Sequence, residues 1–388
     1  MGADRLALYE KIYRYIRGEI ESGRMEPGSR IPTERELTKQ FGVSRITTSR
    51  ALSMLTAEGY LNRRPGVGTF VGEPMSSRGA GSVHDTPSPS AESEERSLAL
   101  SSDPVGFIIP WLKHTFGPVL VASVEKALHD TKQPLCVACS YGSQQVEQEA
   151  IGRLVSAGAT GLIIFPVNGA LYNSEIVRLH VDNFPIVLVD KRLPGLPLPS
   201  VSTDNVNAAK VLTEHLLELG HRNIAFYSPG IDSTSTLVDR YEGYCLALSE
   251  ANVTVNPDLC VASRRVTSED ENYDSAQVRG FEEFLKIHPE VTAVLATDDE
   301  LAEYCLAAAV KSGKRVPDDL SIACFDGPQK PTGLGTFTCM MQDEERMGEE
   351  AVRVLRDIME NPRQAVPSMI NIPARFRLGN STSSPQTR

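Results

Sequence analysis

The sequence predicts a multidomain α/β protein: a small N-terminal unit of three helices and a β-hairpin, then a large unit of parallel sheets folded as two lobes. Three observations lead there. Charge breaks sharply along the chain: residues 1–72 hold 12 Lys+Arg against 8 Asp+Glu (net +4), 73–104 hold 2 against 6 (net −4), and 105–388 hold 25 against 36 (net −11). The first stretch has apolar residues at helical spacing and ends in a glycine-rich turn between two short strand-like runs. The last stretch alternates short apolar runs with helical patterns, the signature of strands buried on both faces.

With 388 residues, 41% of them hydrophobic, the chain can bury sizeable cores without disulfide or metal staples. Seven scattered cysteines fit reduced thiols better than a bridge framework. The apolar runs fall far short of the roughly 18 residues that cross a bilayer, and the charged start does not read as a signal peptide. A cytoplasmic protein with no membrane partner is expected.

In the first unit, Leu8, Ile12, Ile16 and Ile20 recur every fourth residue, one apolar stripe of a helix that Gly23 can end. Thr33 and Glu36 have capping-box spacing, so a second helix starts at Thr33 and ends near Phe41 and Gly42. Ser44 is the N-cap candidate for a third helix with Ala51, Leu52 and Leu55 inward and Gly59 at its end. Two helices joined by a tight glycine-containing turn form a helix-turn-helix. Residues 60–64 and 69–71 then flank Pro65-Gly66-Val67-Gly68 as a wing. The third helix presents Ser44, Arg45, Thr47 and Ser49 at its N-terminal turn, where free N–H groups and the helix dipole favour phosphate; Arg35, Arg50, Arg63 and Arg64 lie on adjacent elements. Each arginine alone could be a solvated surface charge, but the joint pattern points to DNA.

Residues 6–72 resemble the winged helix-turn-helix domain of the GntR family of bacterial transcription regulators. The resemblance is carried by PGSRIPTERELTKQFGVSR (27–45), Ala51-Leu52, Leu55, Glu58-Gly59 and RRPGVGTFV (63–71). It implies DNA contacts from Arg35, Ser44, Arg45, Thr47 and Gly66. The family usually has Val-Arg where this chain has Thr48-Ser49, with a guanidinium one position later at Arg50. One residue is a turn of about 100° around a helix, so the reading of the operator shifts among Ser49 and Arg50.

Residues 73–104, with nine serines and four prolines, cannot bury enough surface to offset chain entropy and read as a flexible linker. A coil of that length spans on the order of 30 Å. Beyond it, strands are expected at 105–110, 134–140, 161–167, 185–190, 223–228, 291–297 and 320–325, and helices at 206–219 and 300–311. So many units fit two lobes better than one open sheet, with a ligand cleft at the carboxyl ends of the strands.

This unit, over about 104–379, resembles the LacI/GalR type of effector domain, which has a periplasmic-binding-protein fold. The matching strings include VGFIIP (105–110), GLIIFP (161–166), PIVLVDKRLPGLPLPSVSTDN (185–205), HLLELGHRNIAF (215–226), RYEGYCLAL (240–248), AVLATDDELA (293–302), RVPDDLSIACFD (315–326) and MGEEAV (347–352). The resemblance implies effector contacts from the turn holding Trp111 and Phe116, and from Asp190, Arg240, Asp298 and Asp326, with Lys113 and Tyr141 as weaker candidates. Asp298 stands where the family usually has Asn, and Gly327 where a second Asp is common. Carboxylates accept from hydroxyls, Arg240 donates in a planar fork, and the only tryptophan can cover the apolar face of a sugar ring. A neutral, hydroxyl-rich effector fits this set, while lobe packing or interlobe ion pairs are the structural alternative for each residue.

Other chemistries have little support. Cys136 and Cys139 have redox-motif spacing, but on a strand they point to opposite faces. The histidines are too dispersed for a metal, and His221, in a turn after a helix, is expected to cap it. No nucleophile, base and orienting acid stand together, so neither enzyme activity, a cofactor nor a metal is expected. The domain plan is a DNA-binding head at 1–72, a linker at 73–104, an effector-binding and dimerisation domain at 105–379 and a disordered tail at 380–388. The combination resembles arabinose-repressor-type proteins. It implies a homodimeric repressor of carbohydrate-utilisation genes that binds double-stranded operator DNA and is released by a small sugar. A corepressor-dependent or activating regulator with another effector, or a sugar-binding protein with no DNA role, is the alternative.

Overall fold

In the computed structural model the chain divides into two units, 1–101 and 102–388. The structure describes residues 8–43, 48, 51–52, 54–56, 60–64, 68–72, 104–112, 116–129, 132–167, 172–231, 234–263, 273–327, 336–361 and 367–386. Nearly all of the expected linker, and Lys113, lie outside these.

In the first unit, helix α1 (Leu8–Glu21) buries Ile12 and Ile16 and ends at Gly23, whose φ of 75° suits a residue without a Cβ. Helix α2 (Glu34–Phe41) starts on the expected capping box: the Thr33 hydroxyl accepts from the Glu36 N–H, and the Glu36 carboxylate accepts from the Thr33 N–H at 2.8 Å. Gly42 closes it in the left-handed region with φ 63°. Residues 48, 51, 52 and 54–56 are helical. Strands β1 (Leu61–Arg64) and β2 (Gly68–Val71) pair antiparallel, and Gly28 and Ile31 donate to carbonyls of β2. Ile12, Ile16, Leu37, Ala51, Leu52, Leu55, Leu61 and Val71 form one small core. Thr48, the departure from the family pattern, is fully buried with its hydroxyl 3.1 Å from that of Thr38, which ties α2 to the following helix.

The second unit contains two six-stranded sheets. The first lobe runs β13-β7-β6-β5-β3-β4, all parallel, from β3 (Val105–Ile109), β4 (Leu135–Cys139), β5 (Gly161–Ile164), β6 (Ile186–Val189), β7 (Ser200–Thr203) and β13 (Met369–Ile372). The second runs β14-β12-β11-β10-β8-β9, from β8 (Ile224–Ser228), β9 (Cys260–Ala262), β10 (Ala293–Ala296), β11 (Ser321–Phe325), β12 (Thr338–Met341) and β14 (Arg375–Arg377), with only β14 antiparallel. Seven of these strands match the sequence expectation to within a few residues, and their side chains, save those of β4, are buried throughout.

The helices are α3 (Pro118–His129), α4 (Gln144–Ser156), α5 (Ser174–Val181), α6 (Asn205–Glu218), α7 (Ser235–Glu250), α8 (Tyr273–Ile287), α9 (Asp299–Lys311) and α10 (Glu344–Glu360). The chain crosses between lobes three times. After β7 it enters the second lobe, where α6 joins the core of Phe226, Tyr244 and Phe325. After β12 it returns, so that Met347, Ala351 and Leu355 of α10 join the first lobe's core with Phe107 and Val124. The third crossing links β13 to β14. Helix α6 lies so close to α7 that a Cβ added at Gly243 would fall 2.1 Å from the Val206 carbonyl oxygen.

Two expectations fail here. Residues 380–386 are not a disordered tail. They run along the second lobe: Asn380 exchanges bonds with Thr336, and Ile322 donates to the Ser381 carbonyl at 2.8 Å. His221 is not a helix-capping side chain either. Its ring is buried, with Nε2–H toward the Ser383 carbonyl at 2.9 Å and Nδ1 at 2.9 Å from the Thr292 hydroxyl, while Arg222 donates to the helix-end carbonyl of Leu217. A burial-lowered pKa keeps the imidazole neutral and suits this donor–acceptor use. All seven cysteines are free, Cys136 and Cys139 included.

Candidate effector cleft and DNA-binding head

The ends of the parallel strands carry unusual backbone. Asp190, after β6, and Asp326, after β11, occupy equivalent places in the two lobes and both have left-handed φ, 65° and 64°. Residues other than glycine, Asn and Asp rarely adopt this conformation, and it concentrates at functional sites. Each is pinned by the neighbouring strand, Asp190 N–H to the Val201 carbonyl and Asp326 N–H to the Met340 carbonyl, both at 2.9 Å. Tyr141, after β4, shares the conformation with φ 51°.

Arg240 sits among the acids. It is 5% exposed, its Nε donates to Asn205 Oδ1 at 2.8 Å, and Nη1 donates to the Thr297 carbonyl. Its guanidinium carbon lies 3.8 Å from the centre of the Phe325 ring. Burial pulls its pKa down, and Asp326, Asp190, Asp298 and Asp239 oppose that. The acids shift the other way. Burial raises Asp326 to about 7 against the pull of Arg240 and of Gln342, whose amide donates to both carboxylate oxygens at 2.9 and 3.1 Å. Asp298 rises to about 6 through burial, opposed by the Leu301 N–H that its carboxylate caps at 2.7 Å. Asp190 is also raised by burial, with Lys191 and Arg240 pulling down. Burial thus lowers the Arg240 pKa and raises those of the three carboxylates coupled to it.

Beside this cluster, the first lobe carries an open cavity of about 290 Å³ lined by Pro110, Trp111, Phe116, Gly142, Phe165, Val167 and Lys191. Trp111 and Phe116 therefore line one space. Trp111 meets Tyr141 edge to face at 6.0 Å, and Phe116 meets Phe165 at 5.9 Å. Lys191 joins cavity and cluster: its ammonium lies 4.7 Å from the Phe165 ring centre, and Asp190 and Glu147 counter the burial that lowers its pKa. Glu147 is buried and accepts from the Val167 N–H and the Asn173 amide, both at 2.7 Å, with a pKa raised by burial.

The sequence reading missed Lys191, Asn205, Glu147 and Gln342. Lys191 had a local signal, following Asp190 in VDKR. The others did not, because their partners lie 20 to 35 residues away for Glu147 and Asn205 and at the interlobe crossing for Gln342.

In the head, the structure places Arg35 on α2, while Ser44, Arg45, Thr47, Ser49, Arg50 and Gly66 lie outside the described residues. The paired wing strands and the Thr38–Thr48 contact between helices are the described parts of the expected frame. Among the described residues, no three His, Cys, Asp or Glu side chains gather to hold a metal, and no helix is long and apolar enough to cross a membrane.

Comparison with known proteins matches residues 8–71 to bacterial regulatory proteins of the gntR family and residues 213–382 to a periplasmic binding protein-like domain. An arabinose metabolism transcriptional repressor of Geobacillus stearothermophilus is 29% identical over 363 residues, 92% of each chain. The transcription regulator CcpA of Lactococcus lactis superposes with a TM-score of 0.64 at 23% identity, over 73% of this chain and 100% of that one. A LacI family transcriptional regulator from Enterococcus faecium with bound ribose superposes with a TM-score of 0.59 at 22% identity, over 72% of this chain and 99% of that one. The chain thus joins a gntR-type regulatory head to a periplasmic-binding-protein-like domain, and a transcriptional repressor of arabinose metabolism aligns with it along nearly its whole length.

Proposed function

We propose that this regulator is a homodimeric repressor of carbohydrate-utilisation genes, and that a monosaccharide held in the cleft releases it from its operator. The observation that carries the sugar is the pairing of an aromatic-walled cavity with a buried arginine and three carboxylates. Aromatic planes cover the apolar face of a sugar ring, while a guanidinium fork and carboxylates take its hydroxyls. At about 290 Å³ the cavity is at the small end of small-molecule sites, which suits one ring. Trp111, Phe116, Asp190, Arg240, Asp298 and Asp326 are the contacts assigned to it. The similar repressor named for arabinose metabolism and the ribose-bound neighbour support a pentose.

Arg35, Ser44, Arg45, Thr47, Ser49, Arg50 and Gly66 are assigned to DNA. A dimer presents two heads to a pseudo-palindromic site, and closure of the cleft changes the spacing at which they bind. The −11 charge of 105–388 keeps the sensor off phosphate, leaving affinity to the heads.

The test is a gel shift on the DNA upstream of its own gene, at several salt concentrations, with and without L-arabinose and D-ribose. A shift lost on deleting residues 1–72 and reversed by one of the pentoses is expected. Arg45→Ala should weaken the shift by about 1–3 kcal/mol if it reads a base. A protein that shifts no promoter fragment and turns over a sugar would sink the reading.

A further inference from the structure

Glu344 is a buried carboxylate, 4% exposed, with no place among the effector contacts assigned above. It opens α10 at the crossing from the second lobe to the first. Its Oε2 accepts from the Gly117 N–H at 2.7 Å and the Leu120 N–H at 3.2 Å. Those are free amides at the start of α3, so one carboxylate lies between the positive ends of two helices, where negative charge is favoured. A glutamate this deep would be costly without such donors.

Gly117 is the end of the turn that carries the cavity's aromatic wall. Its φ is +127°, and a Cβ there would stand 3.3 Å from the Trp111 carbonyl oxygen and 3.2 Å from Ile109 Cδ1. Gly117 thus stands against the Trp111 backbone, with Phe116 its chain neighbour, and an anchor on Gly117 bears on the place of both rings. Two residues before Glu344, Gln342 holds the Asp326 carboxylate and accepts from the Thr203 hydroxyl at 2.6 Å. A three-residue stretch thus grips the aromatic wall of one lobe, the acid of the other, and the first crossing.

We propose that Glu344 is a positioning residue for the effector site: it fixes Gly117, which stands against the Trp111 backbone beside Phe116, to the interlobe crossing, so that ligand contacts on the two walls are felt through one rigid link. The role of that link in sugar binding rests on the function proposed above; the placement of the turn does not.

The experiment uses full-length Glu344→Ala, Glu344→Gln and, as an exposed control on the same helix, Glu349→Ala. Trp111 is the only tryptophan, so its emission and acrylamide quenching report the turn without any ligand. Glu344→Ala should red-shift the emission and raise the quenching constant about twofold or more, because an untethered turn opens to solvent. Glu344→Gln keeps an acceptor oxygen and should restore wild-type values, and Glu349→Ala should match wild type. If Glu344→Ala does not fold, Glu344→Asp, one methylene too short, takes its place with the same expected reading. Unchanged Trp111 signals, or the same change in Glu349→Ala, overturn the proposal. In parallel, L-arabinose and D-ribose are titrated by calorimetry. Where wild type binds, affinity should fall about tenfold in Glu344→Ala and recover in Glu344→Gln. Unchanged affinity overturns the effector role. A wild type that binds neither pentose counts against the sugar reading, while the tryptophan signals still decide Glu344.

Discussion

The Arg240 guanidinium lies over the face of Phe325, 3.8 Å from its ring centre, and Phe325 immediately precedes Asp326. The ring supports the plane of the cation from below, while Asn205 and the Thr297 carbonyl hold two of its nitrogens. The guanidinium is thereby held flat, with little conformational freedom left to lose. The Phe of the F-D string is thus a platform for the arginine 85 positions earlier, and the two motifs act as one feature.

Arg240→Ala should reduce effector affinity by about 2–5 kcal/mol, the range for removing one partner of a buried charged network. Operator binding without effector should stay at the wild-type level in a gel shift. Induction that survives the substitution would show that the cleft is assigned wrongly.

Asp326 gives a pH signature with a definite sign. Its folded pKa of about 7 lies above the 3.8 of an unperturbed Asp, so the native state binds the proton more tightly than the unfolded chain. Its contribution to stability is full below the unfolded value and is lost as pH rises toward 7. Asp326→Asn stays neutral throughout. The melting temperature of the variant minus that of wild type should therefore grow from pH 5 to pH 8. The difference matters because His215 and His221, with lowered pKa values, push total stability the opposite way near pH 6.5. A flat difference would remove Asp326 from the titrating cluster.

His221→Ala should destabilise the 102–388 unit by about 1–3 kcal/mol, since it strips partners from the half-buried Thr292 hydroxyl, the buried Ser321 hydroxyl and the Ser383 carbonyl. Limited proteolysis should then remove 380–386 first. Deletion after Gly379 should cost a similar amount, and the two changes together little more than either, because they break the same clasp.

Two helical glycines should respond to alanine with opposite signs. At Gly243 the new methyl would meet the Val206 carbonyl oxygen at 2.1 Å and Ala209 Cβ at 2.9 Å, so Gly243→Ala should cost about 1–3 kcal/mol or more as α6 and α7 separate. At Gly152, on α4, nothing stands within 4 Å, and Gly152→Ala should stabilise by about 0.5–1 kcal/mol through helix propensity. Thermal unfolding of both variants checks the pair.

Wherever local rules govern, the outcome is legible in the order of residues. Apolar spacing in α1, the Thr33–Glu36 capping box, the Gly42 stop and the short apolar runs of the strands all depend on neighbours a few residues apart. Charge partition set residues 1–72 apart from 105–388, and motif strings singled out Trp111, Asp190, Arg240, Asp298 and Asp326 as candidates. Only the tertiary structure decided which elements share a lobe. Helix α10 returns to the first lobe and 380–386 clasps the second, which no local pattern records. It also decided the supporting residues: Gln342 and Glu344 work on partners across the crossings, and Glu344 bonds to an amide 227 positions away. The physical reason is the same in each case. Hydrogen bonding and burial at these places depend on which strand ends the crossings bring together, and that proximity exists only once both sheets have formed.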